Sequence, residues 1–475
     1  MTDRDGGNGT SSSQSYSYRP QYDDKEPDWR RLPGFRDVSE ADWRSGKWQG
    51  QHSANDVAKL KEIFGDFLDD ALAEDIAKDQ QLAAQMGLLI PPQMLNTMNE
   101  RNLREDPVRR YMAPAFSERC AEEHPMAGRD SLHEIDMRRA EGLTHRYPTK
   151  VLAELTDTCP QYCGHCTRMD QVGPNTPQVE KNKFELRQPD RWAAMLEYLR
   201  QTPTVRDVVV SGGDIANVPI QRLEEFIVGF KGDGKDPDRE GLLDIDHIRD
   251  IRLATKALIG VPQRILDDEF SGGLERIAKK AREKRVNIAI HTHANAAQQI
   301  TPLVGEAVDR LLDMGYRDVR NQGVLMRGVN ATPTAILDLC YALLDNARII
   351  PYYFYMCDMI PKAEHWRTAV WQAQEIQQAI MGHLPGYGTP RIVCDVPWVG
   401  KRWVHQTVDY DREKGVSFWV KNYKTHARND PSPADGRYPF YDPIDTLPEA
   451  GQEHWRAQTK PDSGQARVTL PIVKP

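Results

Sequence analysis

Three cysteines lie close together in the stretch Cys159-Pro-Gln-Tyr-Cys163-Gly-His-Cys166. Their spacings of four and three residues allow one short loop to bring three thiolates to a common site. Thiolates are the ligands that iron–sulfur clusters require, and a four-iron cluster normally takes four of them. Because no fourth cysteine is nearby, a cluster held here would leave one iron open to a substrate or a cofactor.

Two other interpretations of this triplet stay open at this point. A zinc ion would need a fourth Cys or His, and His165 lies inside the triplet, where it can hardly complete a tetrahedron. The three thiols could also be unligated and adjacent by chance. The chain has seven cysteines in all, and in a reducing compartment the crowding of three favours metal ligation over disulfides.

A glycine turn is the second candidate for chemistry. The apolar run at 208–210 predicts a buried strand, and it ends in Ser211-Gly212-Gly213-Asp214. Glycines let the backbone approach a ligand closely, and Asp214 offers an acceptor for an ammonium group. A purely structural turn is the alternative interpretation of the same residues.

The elements that position these residues follow a strand-then-helix rhythm from about residue 145. Such alternation is typical of parallel strands with helical crossovers, as in a (β/α) barrel or a doubly wound sheet. In a barrel the C-terminal ends of the strands share one rim, so residues just beyond each strand are expected to line one cavity. The predicted strands are 151–155, 207–210, 251–253, 286–290, 319–325, 352–355 and 391–393, and the predicted helices are 190–200, 221–230, 274–284, 303–314, 336–346 and 364–381.

The flanking segments differ from this core in composition. Residues 1–30 are polar and poor in aliphatic side chains, which predicts a disordered tail. From Val57 to Leu72 apolar residues recur at three and four positions, which predicts the start of a helical N-terminal region over 31–141. The core then spans 142–405 with an inserted surface loop near 231–246, and an irregular extension follows over 406–475.

Charge and hydropathy exclude several classes of function. The net charge is -8, and no Lys/Arg stripe provides the basic face that nucleic-acid binding needs. The longest apolar run, at 349–357, is far shorter than the ~20 residues that cross a bilayer. The polar N-terminus lacks the pattern of a secretory signal. We therefore expect a cytoplasmic protein with neither a membrane nor a nucleic acid as partner.

The cysteine motif resembles that of the radical S-adenosylmethionine (SAM) superfamily, and further segments resemble the lysine 2,3-aminomutase family. The resemblance runs from about residue 130 to 405. It implies an α/β fold with a partial (β/α)6-type TIM-like barrel. The segments that carry it are His145-Arg-Tyr-Pro148, Cys163-Gly-His-Cys-Thr-Arg168, Arg206-Asp-Val-Val-Val-Ser-Gly-Gly-Asp214, Val261-Pro-Gln-Arg-Ile265, Asn321-Gln-Gly-Val-Leu-Met-Arg-Gly-Val-Asn330, Pro351-Tyr-Tyr-Phe-Tyr-Met-Cys-Asp358, Glu364-His-Trp-Arg-Thr368 and Gly386-Tyr387.

The resemblance implies a set of cofactor-binding residues. Cys159, Cys163 and Cys166 would hold a [4Fe-4S] cluster whose open iron binds SAM. The turn Ser211, Gly212, Gly213 and Asp214 corresponds to the methionine-binding turn of the superfamily. Lys401 corresponds to the lysine that binds pyridoxal phosphate (PLP) covalently, with Arg146 and Tyr147 around that cofactor and its phosphate. Asn321 and Gln322 are polar contacts to either cofactor, with strand-end hydrogen bonding as the alternative.

The resemblance also implies how an amino-acid substrate is held. Arg168 corresponds to the arginine that pairs with the substrate carboxylate, a task suited to a planar bidentate fork. Asp358 and Asp395 correspond to two acids that receive the ε-ammonium of lysine. Two carboxylates at one end of the pocket would select a distal cation, because an uncharged tail would leave both unpaired.

The function implied is an isomerase that moves the α-amino group of L-lysine to C3, giving β-lysine. A flavodoxin or ferredoxin would supply the electron, and the chain would form a homo-oligomer. Three positions depart from the family pattern: Lys150 and Lys256 replace arginines, and Trp398 stands in a glycine run that is one residue shorter here. The alternatives are an aminomutase for arginine or ornithine, a radical SAM enzyme that has lost PLP, and a non-catalytic iron–sulfur scaffold.

Overall fold

The N-terminal region consists mainly of short helices. The computed structural model describes residues 16–21, 25–119, 122–232 and 237–458. The tail predicted over 1–30 therefore lies largely outside the described residues. Its last part belongs to the folded chain, because the Trp29 ring is buried and stacks on Trp43 with ring centroids 4.8 Å apart.

Capping side chains explain where the first helices begin. Four side chains, each directly before a helix, accept a hydrogen bond from a backbone N–H of the first turn: Ser39, Ser45, Asp56 and Asp69. These N–H groups have no hydrogen-bond partner within the helix itself. The apolar stripe predicted from Val57 is shared by two helices with a break after Phe64. The helices of this region are α1 (Glu40–Trp43), α2 (Gly46–Gln51), α3 (Val57–Phe64), α4 (Asp70–Leu82), α5 (Pro92–Asn96) and α6 (Pro107–Met112).

A ten-stranded sheet forms the core, in the order β1-β2-β3-β4-β7-β8-β9-β10-β11-β12. Neighbouring strands from β3 to β11 are parallel, whereas β1, β2 and β12 pair antiparallel at the two ends. The strands are β1 (Arg138–Ala140), β2 (Leu143–Tyr147), β3 (Lys150–Glu154), β4 (Asp207–Ser211), β5 (Gly229–Phe230), β6 (Arg239–Glu240), β7 (Asp250–Ala254), β8 (Asn287–Thr292), β9 (Val319–Leu325), β10 (Ile350–Met356), β11 (Arg391–Val396), β12 (Gly400–Trp403), β13 (Asp409–Asp411), β14 (Val416–Trp419) and β15 (Tyr438–Tyr441).

Helices connect the parallel strands, as the sequence rhythm predicts, and pack on the outside of the sheet. The sheet is open, which agrees with the predicted partial barrel, and it contains seven parallel strands. All seven predicted strands are present, and so are all six predicted helices. Four of the helices lie within three residues of their predicted ends, whereas α11 begins six residues before its predicted start and α14 six residues after it. The helices after α6 are α7 (Gln188–Arg200), α8 (Ile220–Val228), α9 (Ala257–Gly260), α10 (Pro262–Leu266), α11 (Asp268–Glu283), α12 (Pro302–Asp313), α13 (Pro333–Ala347), α14 (Val370–Ile380) and α15 (Glu449–Arg456).

Two additions to this core have structure of their own. The insertion predicted near 231–246 begins as a hairpin of β5 and β6, but Leu242 and Leu243 are buried, so its exposed part is shorter than predicted. The C-terminal extension is irregular over 420–437, yet β13, β14 and β15 form a small antiparallel sheet. No helix in the described ranges is long and apolar enough to cross a membrane.

Candidate active site

The cysteine loop follows β3 and is fixed by backbone contacts with the N-terminal region. The N–H of Tyr162 donates to the carbonyl of Leu89 at 3.0 Å, and that of Gly164 donates to Tyr111 at 2.8 Å. All three cysteines of the loop are free thiols: Cys163 is buried, and the other two are partly exposed. The loop thus presents three sulfurs at the C-terminal end of β3, where the sequence predicts them.

The glycine turn after β4 packs directly against this loop. Gly213 N–H donates to the carbonyl of Thr156 at 2.6 Å, and Asp214 N–H donates to Thr158 at 2.9 Å. A Cβ on Gly213 would lie 2.2 Å from the carbonyl oxygen of Thr158, and Gly212 has a φ of +126°. Both positions therefore require glycine, because a side chain would push the two segments apart.

Asp214 ties the turn to the segment that follows β7. Its carboxylate accepts hydrogen bonds from Ala216 N–H at 2.9 Å, Thr255 Oγ1 at 2.7 Å and Lys256 N–H at 2.6 Å. Burial raises the pKa of this carboxyl group. Both oxygens are thus engaged within the protein, and the role expected for Asp214 as an acceptor for a ligand ammonium stays a prediction.

Lys256 brings a partly buried positive charge to the three thiols. Its Nζ lies 3.2 Å from the Sγ of Cys163. Burial raises the pKa of the Cys159 and Cys163 thiols. Burial also disfavours the charge on Lys256, but its pKa is raised because the negative charge on Cys163, Cys166 and Cys159 outweighs that effect.

The donor set fits an iron–sulfur cluster better than a single metal ion. Across the described residues, no group of three His, Cys, Asp or Glu side chains is placed to hold one ion. A four-iron cluster binds each thiolate at a different iron, so its three cysteines need not converge on one point. A cluster ligated by three thiolates would be anionic, and Lys256 would supply a counter-charge.

Lys401 lies at the end of the barrel where the parallel strands finish, which is also the end that carries the cysteine loop. This end is called the mouth of the barrel. Lys401 stands on β12 directly opposite Asp395 on β11, and its Nζ is 3.7 Å from Asp395 Oδ2. The same Nζ lies 5.7 Å from the ring centre of Tyr147 and 5.5 Å from that of Tyr355. Burial disfavours the ammonium, but Tyr147, Tyr355 and Asp395 raise the pKa of Lys401. The side chain remains 38% exposed, so a cofactor can reach it.

Arg146 pairs with Asp395, which differs from the roles predicted for the two residues. Arg146 Nη1 donates to Asp395 Oδ1 at 2.7 Å, and Nη2 donates to the carbonyl of Val396 at 2.9 Å. The sequence places Arg146 at a cofactor phosphate and Asp395 at a substrate ammonium. Both side chains are buried, and an unpaired charge at either position would be costly. The two therefore neutralise each other in this structure.

Asp358 is the second predicted acid, and it lies close enough to Asp395 for their charges to interact. Thr167 Oγ1 donates to its Oδ2 at 2.6 Å. Burial and then the negative charge of Asp395 raise the pKa of Asp358 to about 7. The two carboxyl groups thus share one site, and an added ammonium would relieve the repulsion between them.

Comparison with known proteins agrees with this geometry. Two proteins named L-lysine 2,3-aminomutase are similar to the chain: one from Clostridium subterminale is 32% identical over 78% of this chain and 80% of its own length, and one from Bacillus subtilis is 31% identical over 78% and 71%. The chain belongs to the lysine 2,3-aminomutase family. A glutamate 2,3-aminomutase from Clostridioides difficile is 27% identical over 76% of both chains. No protein-family model matches the chain.

Membership of this family makes the chain a radical SAM aminomutase and implies a [4Fe-4S] cluster and SAM. It agrees with the thiols, the glycine turn and the open barrel described above. A radical SAM methyltransferase of known structure from Sphaerobacter thermophilus overlaps 56% of this chain and 70% of its own, at 15% identity and a TM-score of 0.33. A TM-score this low provides no evidence about the fold of the chain.

Arg168 is already paired with carboxylates of the chain. Its Nε donates to Glu154 Oε1, and its Nη2 lies 3.2 Å from Glu134 Oε2. Sequence reasoning missed both partners. The signal for Glu154 was present, since it occupies an inward-facing position on a strand whose other predicted residues are mostly apolar. The role of Arg168 toward a substrate carboxylate stays a prediction.

The sequence leaves two roles open for Asn321 and Gln322, namely contact with a cofactor and hydrogen bonding at the end of a strand. Asn321 accepts from Ala294 N–H at 2.7 Å and donates to the Ala294 carbonyl at 3.1 Å, so it is a structural link between β9 and the segment after β8. Gln322 Oε1 accepts from Tyr355 OH at 2.7 Å. Because Tyr355 also faces Lys401, Gln322 lies near the place predicted for PLP.

Trp398 occupies the turn between β11 and β12. Its φ is +65°, a left-handed conformation that non-glycine residues adopt at a cost of about 1–2 kcal/mol. The indole ring stacks on His133 with ring centroids 4.0 Å apart, and His133 also has a positive φ of 54°. The stack on His133 holds Trp398 in this left-handed conformation.

Sequence reasoning also missed a group of polar residues inside the barrel near Lys401. Arg252 donates to both oxygens of Asp207, and Arg320 pairs with Asp318 at 2.7 Å. His291 is buried, and burial together with the neighbouring cations lowers its pKa to about 3. Its Nε2 has no hydrogen-bond partner among the described residues. These residues follow no motif, because they come from separate strands.

Proposed function

We propose that this radical SAM aminomutase requires PLP bound at Lys401 and moves the α-amino group of L-lysine to C3, giving β-lysine. The position of Lys401 carries the proposal. Its amino group stands at the mouth of the barrel, on the hairpin that follows the last parallel strand, and the cysteine loop opens into the same mouth. A lysine on the outer surface would support no such role.

The charges around Lys401 support a phosphate-bearing cofactor. Five cations face three carboxylates there, and Asp358 beside Asp395, with a pKa of about 7, adds up to one more negative charge. The cations therefore exceed the carboxylates by one to two charges. A phosphate monoester carries about -1.5 to -2 charges at neutral pH and would balance that excess. The unpartnered His291 Nε2 offers one more polar contact. The cations are Arg146, Lys150, Arg252, Arg320 and Lys401, and the carboxylates are Asp207, Asp318 and Asp395.

The cofactors would supply the radical and the electron delocalisation that nitrogen migration needs. The task of the chain is to orient groups and to exclude water. Tyr147 and Tyr355 flank the Lys401 amino group and restrict its position, and Gln322 holds the Tyr355 hydroxyl. The buried Arg146–Asp395 pair fixes the hairpin that carries Lys401.

Asp358 and Asp395 support a substrate with a distal cation. With a pKa of about 7, Asp358 can release its proton when an ammonium binds beside it. Arginine and ornithine also carry a distal cation, so they are the competing substrates. Anaerobic product analysis with lysine, ornithine, arginine and glutamate separates them, and lysine is expected to give the highest kcat/KM.

Reconstitution of the native chain and of Lys401→Ala tests the cofactor. The native protein, supplied with iron, sulfide and PLP without oxygen, should show the long-wavelength absorbance of PLP bound to a lysine. Lys401→Ala should lose that absorbance and the formation of β-lysine, but keep its iron content. Lys280→Ala, on the outer helix α11, is the matched control and should behave as the native chain. An unchanged visible spectrum in Lys401→Ala would refute the PLP proposal.

The remaining partners belong to the same proposal. A flavodoxin or ferredoxin would deliver the electron, since the reaction needs a reduced cluster. Homo-oligomer formation and a cytoplasmic location follow from the same expectation. Size-exclusion chromatography with light scattering tests whether the chain forms a homo-oligomer. Reduction of the reconstituted cluster by flavodoxin and by ferredoxin tests the choice of electron donor.

A further inference from the structure

Glu154 occupies the place at Arg168 where a substrate carboxylate is expected to bind. It is the last residue of β3. Side chains alternate across a strand, so Glu154 lies on the opposite face from the buried Val151 and Ala153, which places it on the inner face of the barrel. Only 2% of its side chain is exposed. A carboxylate buried at this position faces the cavity rather than solvent.

Two arginines bracket this carboxylate. Oε1 accepts from Arg168 Nε, and Oε2 lies 3.9 Å from Arg138 Nη2. Within the described residues Oε2 has no hydrogen-bond partner, nor do Nε and Nη1 of Arg138. The group is therefore incompletely satisfied, which is costly for buried charges.

The charges around Arg168, where the head group of the substrate is expected, balance before any ligand binds. Arg138, Arg168 and Arg191 supply three positive charges, and the negative ones come from the three carboxyl groups of Asp130, Glu134 and Glu154. An α-carboxylate that enters adds a negative charge with no cation left over, so it has to displace Glu154 or be repelled by it. A neutral head group meets no such penalty.

We propose that Glu154 determines selectivity at the head-group end of the substrate. It is an internal competitor for Arg168, so it weakens the binding of any ligand with a free α-carboxylate and spares ligands that lack one. The inference rests on the proposed function, because it assumes that the head group of the amino acid meets Arg168.

A thermodynamic cycle with two protein forms and two ligands isolates the interaction between Glu154 and the α-carboxylate of the ligand. The dissociation constants of lysine and lysinamide are measured by titration calorimetry on the reconstituted holoprotein, native and Glu154→Gln. Loss of the Glu154 charge should tighten lysine binding by about tenfold, as expected for removal of one close charge from a buried ion-pair site. Lysinamide binding should change by less than about twofold. Native protein alone should bind lysinamide at least as tightly as lysine.

Controls separate this role from a structural one. Glu154→Asp keeps the charge and should keep the native preference. Glu306→Gln removes a carboxylate that pairs with Arg44 at 2.6 Å on the exposed surface and should change neither ligand. Equal effects of Glu154→Gln on both ligands, or native protein that prefers lysine, would overturn the inference alone. Failure of every form to bind either ligand would overturn the proposed function together with it.

Discussion

The two ends of the candidate site are built in different ways. The cysteine end, consisting of the loop 155–168 and the glycine turn 211–214, is held by backbone hydrogen bonds and by glycines that permit close contact. The lysine end, consisting of the hairpin of β11 and β12 with Arg146 and Tyr147, is held by ionised side chains from distant parts of the chain. Backbone geometry depends on local sequence, whereas ion pairing depends on the whole fold.

This difference determines which properties respond to mutation. Changes at the cysteine end should mainly affect cluster assembly, because among the described residues the one side-chain hydrogen bond to its thiols comes from Lys256. Changes at the lysine end should affect stability as well as function, because its buried charges neutralise one another.

The largest effect is expected for Cys163→Ala. Removal of one of three thiolates leaves too few ligands for the cluster, so iron content and reductive cleavage of SAM should fall to background. The free energy of unfolding of the cluster-free protein should change by less than about 1 kcal/mol. Cys340→Ala, in α13 and away from the site, is the control and should retain native iron. Normal iron content in Cys163→Ala would contradict the ligand assignment.

Asp395→Asn tests the opposite behaviour at the lysine end. The variant leaves Arg146 buried without its counter-ion, and unfolding free energy should fall by about 3 kcal/mol. Asp409→Asn removes a carboxylate that pairs with Arg437 at 3.1 Å on the exposed surface and should cost less than about 1 kcal/mol. Urea denaturation of both variants measures the contrast. Equal losses would show that the Arg146 pair is no more important than a surface pair.

Asp358 adds a pH dependence to the lysine end. Its pKa is raised to about 7, so the folded protein favours the protonated form. The stability that this group contributes is complete below the unfolded pKa near 4 and is lost as pH rises through 7. From pH 5 to pH 8 the native protein should lose about 2–3 kcal/mol relative to Asp358→Asn. Parallel pH profiles for the two proteins would contradict the raised pKa.

The smallest effect is expected at Trp398. Ala in place of Trp398 keeps the left-handed strain and loses the stack on His133, whereas Gly loses the stack and the strain together. Trp398→Gly should therefore be more stable than Trp398→Ala by about 1 kcal/mol, the reverse of the usual order. Thermal unfolding of both variants measures the difference, and the usual order would show that the turn adopts another conformation.

The sequence predicted most of the fold and the position of the cysteine loop and the glycine turn after their strands. Alternating apolar runs located all seven parallel strands, and the CxxxCxxC spacing and the Gly-Gly pair define local geometry that a motif can carry. The sequence did not predict that Arg146 pairs with Asp395 or that Arg168 pairs with Glu154. The first contact joins residues 249 positions apart, and the second depends on how the cysteine loop folds back over the end of β3. The strands of the C-terminal sheet are four residues or fewer, too short for a periodic pattern.

The hairpin that carries Lys401 places a discrete constraint on insertions and deletions. Asp395 and Lys401 face each other because three residues, 397–399, separate Val396 from Gly400. Side chains alternate across a strand, so a slip of one position would turn the Lys401 amino group to the opposite face of the sheet. Loop length here can therefore vary freely only in pairs of residues, unless a bulge absorbs the odd one. A single-residue insertion in this loop should therefore inactivate the protein unless a bulge absorbs the extra residue.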